Sequence, residues 1–172
     1  MPVQDPLFED MPTDLREMIS KPIGDLEENR PLLPVCHLFG ECIDVVTGLS
    51  SQKHTRYFGF ICQPREFGPD VTPQMQQALN GVDLSDYEFP KRERLGMGLP
   101  AGQIWWTPSA QGMAREFLTD MGFPITKPVD ECIVEMRGKK VLMGIGKDSY
   151  DRGDGSKPRE YNVMVSLSRD PR

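Results

Sequence analysis

Basic side chains and aromatic rings stand close together at several points of the chain, and this combination is the clearest chemistry that the sequence offers. Cations spaced along a groove can follow phosphates, and flat rings can stack on bases, which contributes about 1–3 kcal/mol per base. Because stacking needs bases that are not already paired, the pattern predicts binding of a single nucleic-acid strand. The residues expected to contact it are Arg56, Tyr57, Tyr87, Lys91, Arg92, Trp106, Lys139, Lys147, Tyr150, Arg152, Lys157 and Arg159.

The densest part of this pattern is the C-terminal segment. Residues 131–150 and 157–167 predict a strand, a turn, a second strand, a basic loop and a closing strand. The loop, residues 148–158, is charged and rich in glycine. We expect one wall of a single-strand groove to be formed here by Lys147, Tyr150, Arg152, Lys157 and Arg159.

Strand alternation divides the aromatic residues between the core and the surface. Neighbouring residues of a strand point to opposite faces, so Tyr57 and Phe58 cannot both stack on bases. We expect Tyr57, beside Arg56, to stack, and Phe58 to pack in the core. Trp105 and Trp106 also point opposite ways. One is expected in the core, and the other either packs on the helix that follows or stacks on a base.

The distribution of charge is compatible with a polyanionic ligand, although the net charge is −6. The first 30 residues carry eight acidic and three basic side chains, a net charge of −5, so the remaining residues carry −1. Attraction of a polyanion depends on the local field at a groove more than on total charge. For each single basic cluster, an ordinary solvated surface remains the alternative.

Several classes of function find no support in the sequence. The four cysteines form no CxxC pair, and metal binding by Cys36, His37, Cys42 and His54 would have no recognised spacing. We expect buried free thiols in a reducing cytosol. With two histidines, no nucleophile–base arrangement stands out, so we expect neither catalysis nor a cofactor. No apolar run approaches the ~20 residues of a membrane span, and the start of the chain lacks signal-peptide features, so a soluble, cytoplasmic protein is expected.

The elements that must position these residues are mainly short strands, as 16 glycines and 16 prolines favour. We expect a β-barrel with one capping helix, preceded by an acidic arm at 1–31 that contains a minor helix capped by Thr13. The domain then covers 32–172, with a bend at Gly40. Helices are predicted at 14–20, 72–79 and 107–122. Strands are predicted at 32–46, 55–63, 87–97, 132–136, 139–146 and 161–168.

The order of elements, together with three short segments, resembles the phage single-stranded-DNA-binding proteins of the OB-fold type. The resemblance covers residues 32–168. A helix that ends near "LG", a strand that begins with a Gly-Lys pattern, and a closing "YN" strand are typical of that family. The counterparts here are Met121-Gly122, Arg137-Gly138-Lys139-Lys140-Val141 and Tyr161-Asn162-Val163-Met164.

The resemblance implies an OB-fold barrel that coats single-stranded DNA without sequence specificity during phage replication and recombination, in the host cytoplasm. It implies no cofactor, and it admits replication or recombination proteins as partners and a homo-oligomer. Two departures stand out. The connector at 64–85 is longer than a compact barrel needs, and the acidic segment lies at the N-terminus, whereas such proteins commonly carry an acidic C-terminal tail.

Two other functions stay open from the sequence. One is a structural or assembly protein of a virion or replication complex that acts through protein–protein contacts, which the acidic arm and the nearly neutral body would suit. The other is an inhibitor whose acidic arm mimics DNA. Deleting residues 1–30 would abolish the activity of such an inhibitor and would leave single-strand coating intact.

Overall fold

The structure, a computed structural model, describes residues 3–23, 31–50, 52–96, 101–151, 153, 155 and 157–172, except the side chain of Tyr150. The chain divides into two compact units, Met1–Pro31 and Leu32–Arg172. None of the described helices is long and apolar enough to cross a membrane.

The first unit contains a 3-10 helix at Pro6–Phe8 and helix α1, Thr13–Ile19. The guanidinium of Arg16 lies 4.4 Å from the centre of the Phe8 ring, which joins the two helices. The predicted helix is therefore confirmed, but Thr13 is its first residue and not its cap. The cap position belongs to Pro12, and no side chain bonds to the first turn.

The second unit is built on one antiparallel sheet with the strand order β3-β2-β1-β4-β5. Its strands are β1 Cys36–Leu49, β2 Arg56–Phe67, β3 Gln103–Trp105, β4 Lys140–Tyr150 and β5 Arg159–Arg169. Its α-helices are α2 Pro73–Ala78, α3 Gln111–Asp120 and α4 Val129–Glu135. The prediction of a mainly β fold with a helix between the third and fourth strands is confirmed.

The sheet is not closed into a barrel. Strands β3 and β5 are its two edges, and no backbone ladder joins them in the described part of the chain. The edges nevertheless approach each other: a β-carbon on Gly102, just before β3, would lie 2.4 Å from the terminal methyl of Met164 on β5. Strand β3 has only three residues, so this edge offers few backbone groups for a ladder with β5.

Strand β1 bends where its register with β2 shifts, between Phe39 and Gly40 and between Cys42 and Asp44. A β-carbon on Gly40 would lie 2.3 Å from the carbonyl oxygen of Gln63, so a side chain at this position would collide with the neighbouring backbone. The predicted bend at Gly40 is confirmed. It curves the sheet around a core in which the rings of Phe60 and Phe117 stack with their centres 5.4 Å apart.

Two helices agree closely with the sequence. The Thr72 hydroxyl accepts a hydrogen bond from the N–H of Met75 at the start of α2. The Thr107 hydroxyl accepts one from the N–H of Ala110, where a 3-10 turn leads into α3. All four cysteines are buried and free, as expected. Burial raises the pKa of the Cys36 thiol to about 11.

The predicted strand at 87–97 is wrong. Among its described residues, 87–96, only Phe89 pairs with a strand, through two backbone hydrogen bonds with Cys62 of 2.7 and 2.9 Å. Pro90 has no N–H with which to continue a ladder. The chain then turns into a 3-10 helix at Arg92–Arg94. The third strand lies instead at Gln103–Trp105.

The predicted strand at 132–136 is also wrong, since α4 occupies Val129–Glu135. Cys132, Ile133 and Met136 are buried. Their three- and four-residue spacing is that of one helical face. The apolar run is too short for this helical period to be distinguished from that of a strand. Asp130 and Glu131 lie in the first turn, where carboxylates stabilise a helix.

Candidate nucleic-acid interface

Arg56 and Trp106 are neighbours across the β2–β3 edge. The register pairs Tyr57 with Trp105, and the N–H of Trp106 donates to the carbonyl oxygen of Arg56 at 2.8 Å, one residue beyond β3. Leu49 of β1 pairs with Arg56 on its other side. Residues directly opposite each other in an antiparallel pair share a face. Leu49, Arg56 and Trp106 therefore form an exposed row, which we call the tryptophan row.

The Trp106 indole is 44% exposed and lines a groove of about 350 Å³ beside α3. Arg115 of α3 lines the same groove. Arg115 was not among the predicted contacts, because the apolar spacing of α3 predicted only a packing helix. A signal was present: Arg115, Leu118 and Thr119 have the spacing of one helical face, and all three line this groove.

Several cations remain available for phosphates. Within the described part of the chain, no salt bridge involves Arg56, Lys91, Arg115, Lys147 or Lys157. Two of these, Arg56 and Arg115, accompany Trp106, in the tryptophan row and in the groove respectively. This combination of an exposed ring with unpaired guanidinium groups can hold a base and its phosphates.

Tyr57 packs into the surface of the sheet. Its ring meets that of Trp105 edge-on, with centres 5.8 Å apart. A β-carbon on Gly96 would lie 2.8 Å from the Tyr57 ring, and one on Gly48 would lie 2.6 Å from its hydroxyl. The tyrosine is half-buried among these neighbours. It supports Trp105, while Trp106 presents the more exposed ring.

Tyr87 has to be removed from the set of stacking residues. It is only 7% exposed, and its ring stacks on Phe89 with centres 6.3 Å apart. Residues two apart in a strand share a face, so the predicted strand would have presented Tyr87, Phe89 and Lys91 on one side. In the structure Tyr87 and Phe89 are buried in the core, whereas Lys91 is exposed.

Arg92 is already engaged with carboxylates. It donates to Asp44 at 2.9 Å and lies 3.7 Å from Glu88. The hydrogen bond from Arg92 lowers the pKa of Asp44, and the same bond raises the pKa of Arg92. A phosphate would have to displace Asp44 to reach this guanidinium. Lys91, its neighbour, is exposed.

The β4–β5 hairpin does not place its residues on one wall. Lys147 pairs with Asn162, and Tyr150 pairs with Arg159. Asn162 and Arg159 are three residues apart on one strand, so they leave opposite faces of the sheet, and Lys147 shares the face of its partner Asn162. Lys147 therefore lies on the face opposite Arg159. Arg152 and the Tyr150 side chain lie outside the described residues, and Lys157 is exposed.

On the Arg159 face, Tyr161 is covered by Arg94. The guanidinium lies 3.8 Å from the ring centre and donates to the tyrosine hydroxyl at 2.9 Å. Arg94 was not among the predicted contacts. Lys139 is held in a similar way, with its ammonium 4.2 Å from the centre of the Phe123 ring. Both cations are partly committed to intramolecular contacts.

The described residues show no group of three or more His, Cys, Asp or Glu side chains placed to hold a metal ion. His37 contacts one carboxylate: its Nδ1 lies 2.8 Å from Asp70 Oδ2, and its backbone N–H donates to Asp70 Oδ1 at 2.9 Å. Burial opposes ionisation of Asp70, but the hydrogen bonds from His37 outweigh it and lower the pKa of Asp70. The pair attaches the start of β1 to the connector after β2.

Comparison of the chain with protein-family models, with curated proteins and with solved structures gives no match.

Proposed function

We propose that this protein binds single-stranded DNA without sequence specificity, by stacking bases on exposed aromatic rings and pairing phosphates with unpaired cations. The observation that carries the proposal is the tryptophan row, in which an exposed tryptophan pairs across the β2–β3 edge with an exposed arginine that forms no salt bridge with any described residue. An indole can stack on any base, because every base has a π-face. Duplex DNA hides those faces, so such a site favours a single strand.

The architecture supports an OB-type domain. The strand order β3-β2-β1-β4-β5, with α3 between β3 and β4, is that of an OB barrel opened between its third and fifth strands. In OB domains, strands 2 and 3 and the adjoining loops form the surface that binds oligonucleotides. The tryptophan row lies at the end of these two strands and beside the turn that joins β1 to β2.

The setting that fits this activity is phage DNA replication and recombination in the host cytoplasm, as the resemblance of residues 32–168 implies. The partners would be the strand itself and replication or recombination proteins. The mechanism needs no cofactor and no covalent step, because affinity comes from released counterions and stacked bases.

A fluorescence titration with oligo-dT at low salt tests the proposal. We expect quenching of the indole emission, retained in Trp105→Phe and largely lost in Trp106→Phe. Replacing Trp106 by alanine should weaken binding by about 1–3 kcal/mol, the contribution of one stacked base. The absence of binding at micromolar protein, or equal affinity for a duplex of the same length, would refute the proposal.

A second candidate, assembly through protein–protein contacts, is favoured by one observation. Met113 and Val165 are 64% and 62% exposed, and both line a cleft of about 230 Å³ between α3, β3 and β5. Exposed apolar side chains around a cleft are typical of protein contact surfaces. An assembly function predicts self-association that is insensitive to salt and no affinity for oligo-dT. Sedimentation of the protein with and without oligo-dT, at two salt concentrations, distinguishes assembly from DNA binding.

A further inference from the structure

The groove beside α3 has the composition of a pocket for a flat ring. Its apolar lining includes Leu118 of α3, Phe123 and Ile125 of the segment that leads into α4, and Val129 at the start of α4. The Trp106 indole forms part of its wall. Ile125 is 73% exposed, so part of this apolar surface faces solvent and would gain from being covered.

Two cations line the groove, and they differ in availability. Lys127 lies 2.9 Å from Glu135 and is already paired. Arg115 is exposed and forms no salt bridge with any residue in the described ranges. The groove therefore combines apolar walls, one indole and one available guanidinium, which complements an aromatic ring linked to a single negative charge.

The volume of the groove and its continuity with the tryptophan row favour a nucleotide over other aromatic ligands with one negative charge. The volume of about 350 Å³ falls within the usual range of about 300–1,000 Å³ for ligand pockets and suits one base with its sugar. Trp106 belongs to both the groove and the tryptophan row. A single-stranded DNA with a base stacked on the Trp106 indole therefore already lies at the edge of the groove.

We propose that the groove beside α3 receives one nucleobase of the bound single strand, while the adjacent phosphate pairs with Arg115. The inference rests on the proposed function, and it extends the DNA-binding surface from the tryptophan row to α3. The base would lie against Trp106, Leu118 and Phe123. The guanidinium of Arg115 supplies the charged hydrogen bonds that a phosphate accepts.

Gly112 offers a way to fill the groove without disturbing the fold. It lies on α3 and lines the groove, and a β-carbon added to it would meet no atom within 4 Å. Alanine and leucine both have a higher helix propensity than glycine, so neither should destabilise α3. Gly112→Leu would occupy the space of the base, whereas Gly112→Ala would leave most of it free.

The decisive measurement compares the affinity of wild type, Gly112→Ala and Gly112→Leu for oligo-dT at fixed salt, with circular dichroism as a check of folding. We expect Gly112→Leu to bind about tenfold more weakly, the loss of one stacked base. Gly112→Ala should bind within about twofold of wild type, since a methyl group fills little of the groove. Arg115→Gln should weaken binding and reduce the salt dependence.

A second measurement asks whether a base enters the groove. Methyl NMR signals of Ile125 and Val129 should shift on addition of oligo-dT, and not on addition of an abasic oligonucleotide of equal length and charge. Normal oligo-dT affinity in Gly112→Leu, with loss of affinity in Trp106→Ala, would overturn the groove inference and leave the proposed function standing. Failure of the wild type to bind would overturn both. Signals that shift with an acidic apolar peptide and not with oligo-dT would assign the groove to a protein partner.

Discussion

Lys147 and Arg159 lie on opposite faces of the β4–β5 hairpin. Lys147 pairs with Asn162, and Asn162 is three residues from Arg159 on β5, so these two residues point to opposite faces. A single-stranded DNA that runs along one face of the sheet contacts only one of these two charged side chains. We therefore expect the two charge reversals Lys147→Glu and Arg159→Glu to have unequal effects. One should lower affinity for oligo-dT and reduce the salt slope, and the other should change both only slightly. Equal losses in a salt-dependent titration would contradict the assignment to two faces.

Arg56 should act on the same nucleotide as Trp106. Replacing an arginine that contacts one phosphate of a single strand reduces the magnitude of the slope of log K against log salt by about 0.7. We expect this change for Arg56→Gln. Arg92→Gln is the matched control, since Asp44 and Glu88 already neutralise that guanidinium, and its slope should equal that of the wild type. The reverse pattern would transfer the phosphate contact from Arg56 to Arg92.

A double-mutant cycle extends this test. If Arg56 and Trp106 hold one nucleotide, the loss in Arg56→Gln/Trp106→Ala should differ from the sum of the single losses by about 0.5 kcal/mol or more. Additive losses would show that the two side chains contact separate parts of the strand.

Asn162 should matter for stability more than its place in the closing strand suggests. Its side chain is buried, accepts from the N–H of Leu33 at 2.8 Å and donates to the carbonyl of the same residue at 2.9 Å. Asn162→Ala would leave both backbone groups of Leu33 without this partner, at a cost of about 1–3 kcal/mol. Urea unfolding measures the change, with the exposed Ser168→Ala as a control that should stay within about 0.5 kcal/mol of wild type.

Acid should weaken the link between β1 and the connector after β2. The folded-state pKa of Asp70 is lowered, so its contribution to stability is complete above the unfolded value of about 3.9. That contribution disappears as the pH falls through the lower folded value. Asp70→Asn should therefore lose stability at neutral pH and show a shallower decline below about pH 4 than wild type. Parallel curves of unfolding free energy against pH would exclude this role.

Local signals in the sequence were sufficient for much of the framework. The caps at Thr72 and Thr107, the bend at Gly40 and the long β1 and β2 strands follow from propensities and patterns within a few residues. The predicted strands at 87–97 and 132–136 were wrong for identifiable reasons. Pro90 cannot continue a ladder, and the apolar run of α4 is too short to separate a helical period from a strand period.

The candidate site was predictable in residue type but not in arrangement. Arg56 and Trp106 were each chosen for their chemistry, and only the pairing of β2 with β3 brings them together. Arg115 was missed because its role depends on the groove that α3 forms with the segment before α4. Tyr87 was chosen on the assumption of a strand that does not form.

The sequence by itself determined the first three helices, the two long strands β1 and β2, the buried thiols, and which basic and aromatic side chains are present. These properties depend on side-chain chemistry and on neighbours within a turn or two of the chain. Only the tertiary structure decided which of those cations and rings share a surface. In a sheet, a one-residue change in pairing moves a side chain to the opposite face, and long-range packing sets that pairing. For this reason Lys147 and Arg159 are separated, whereas Arg56 and Trp106 are joined.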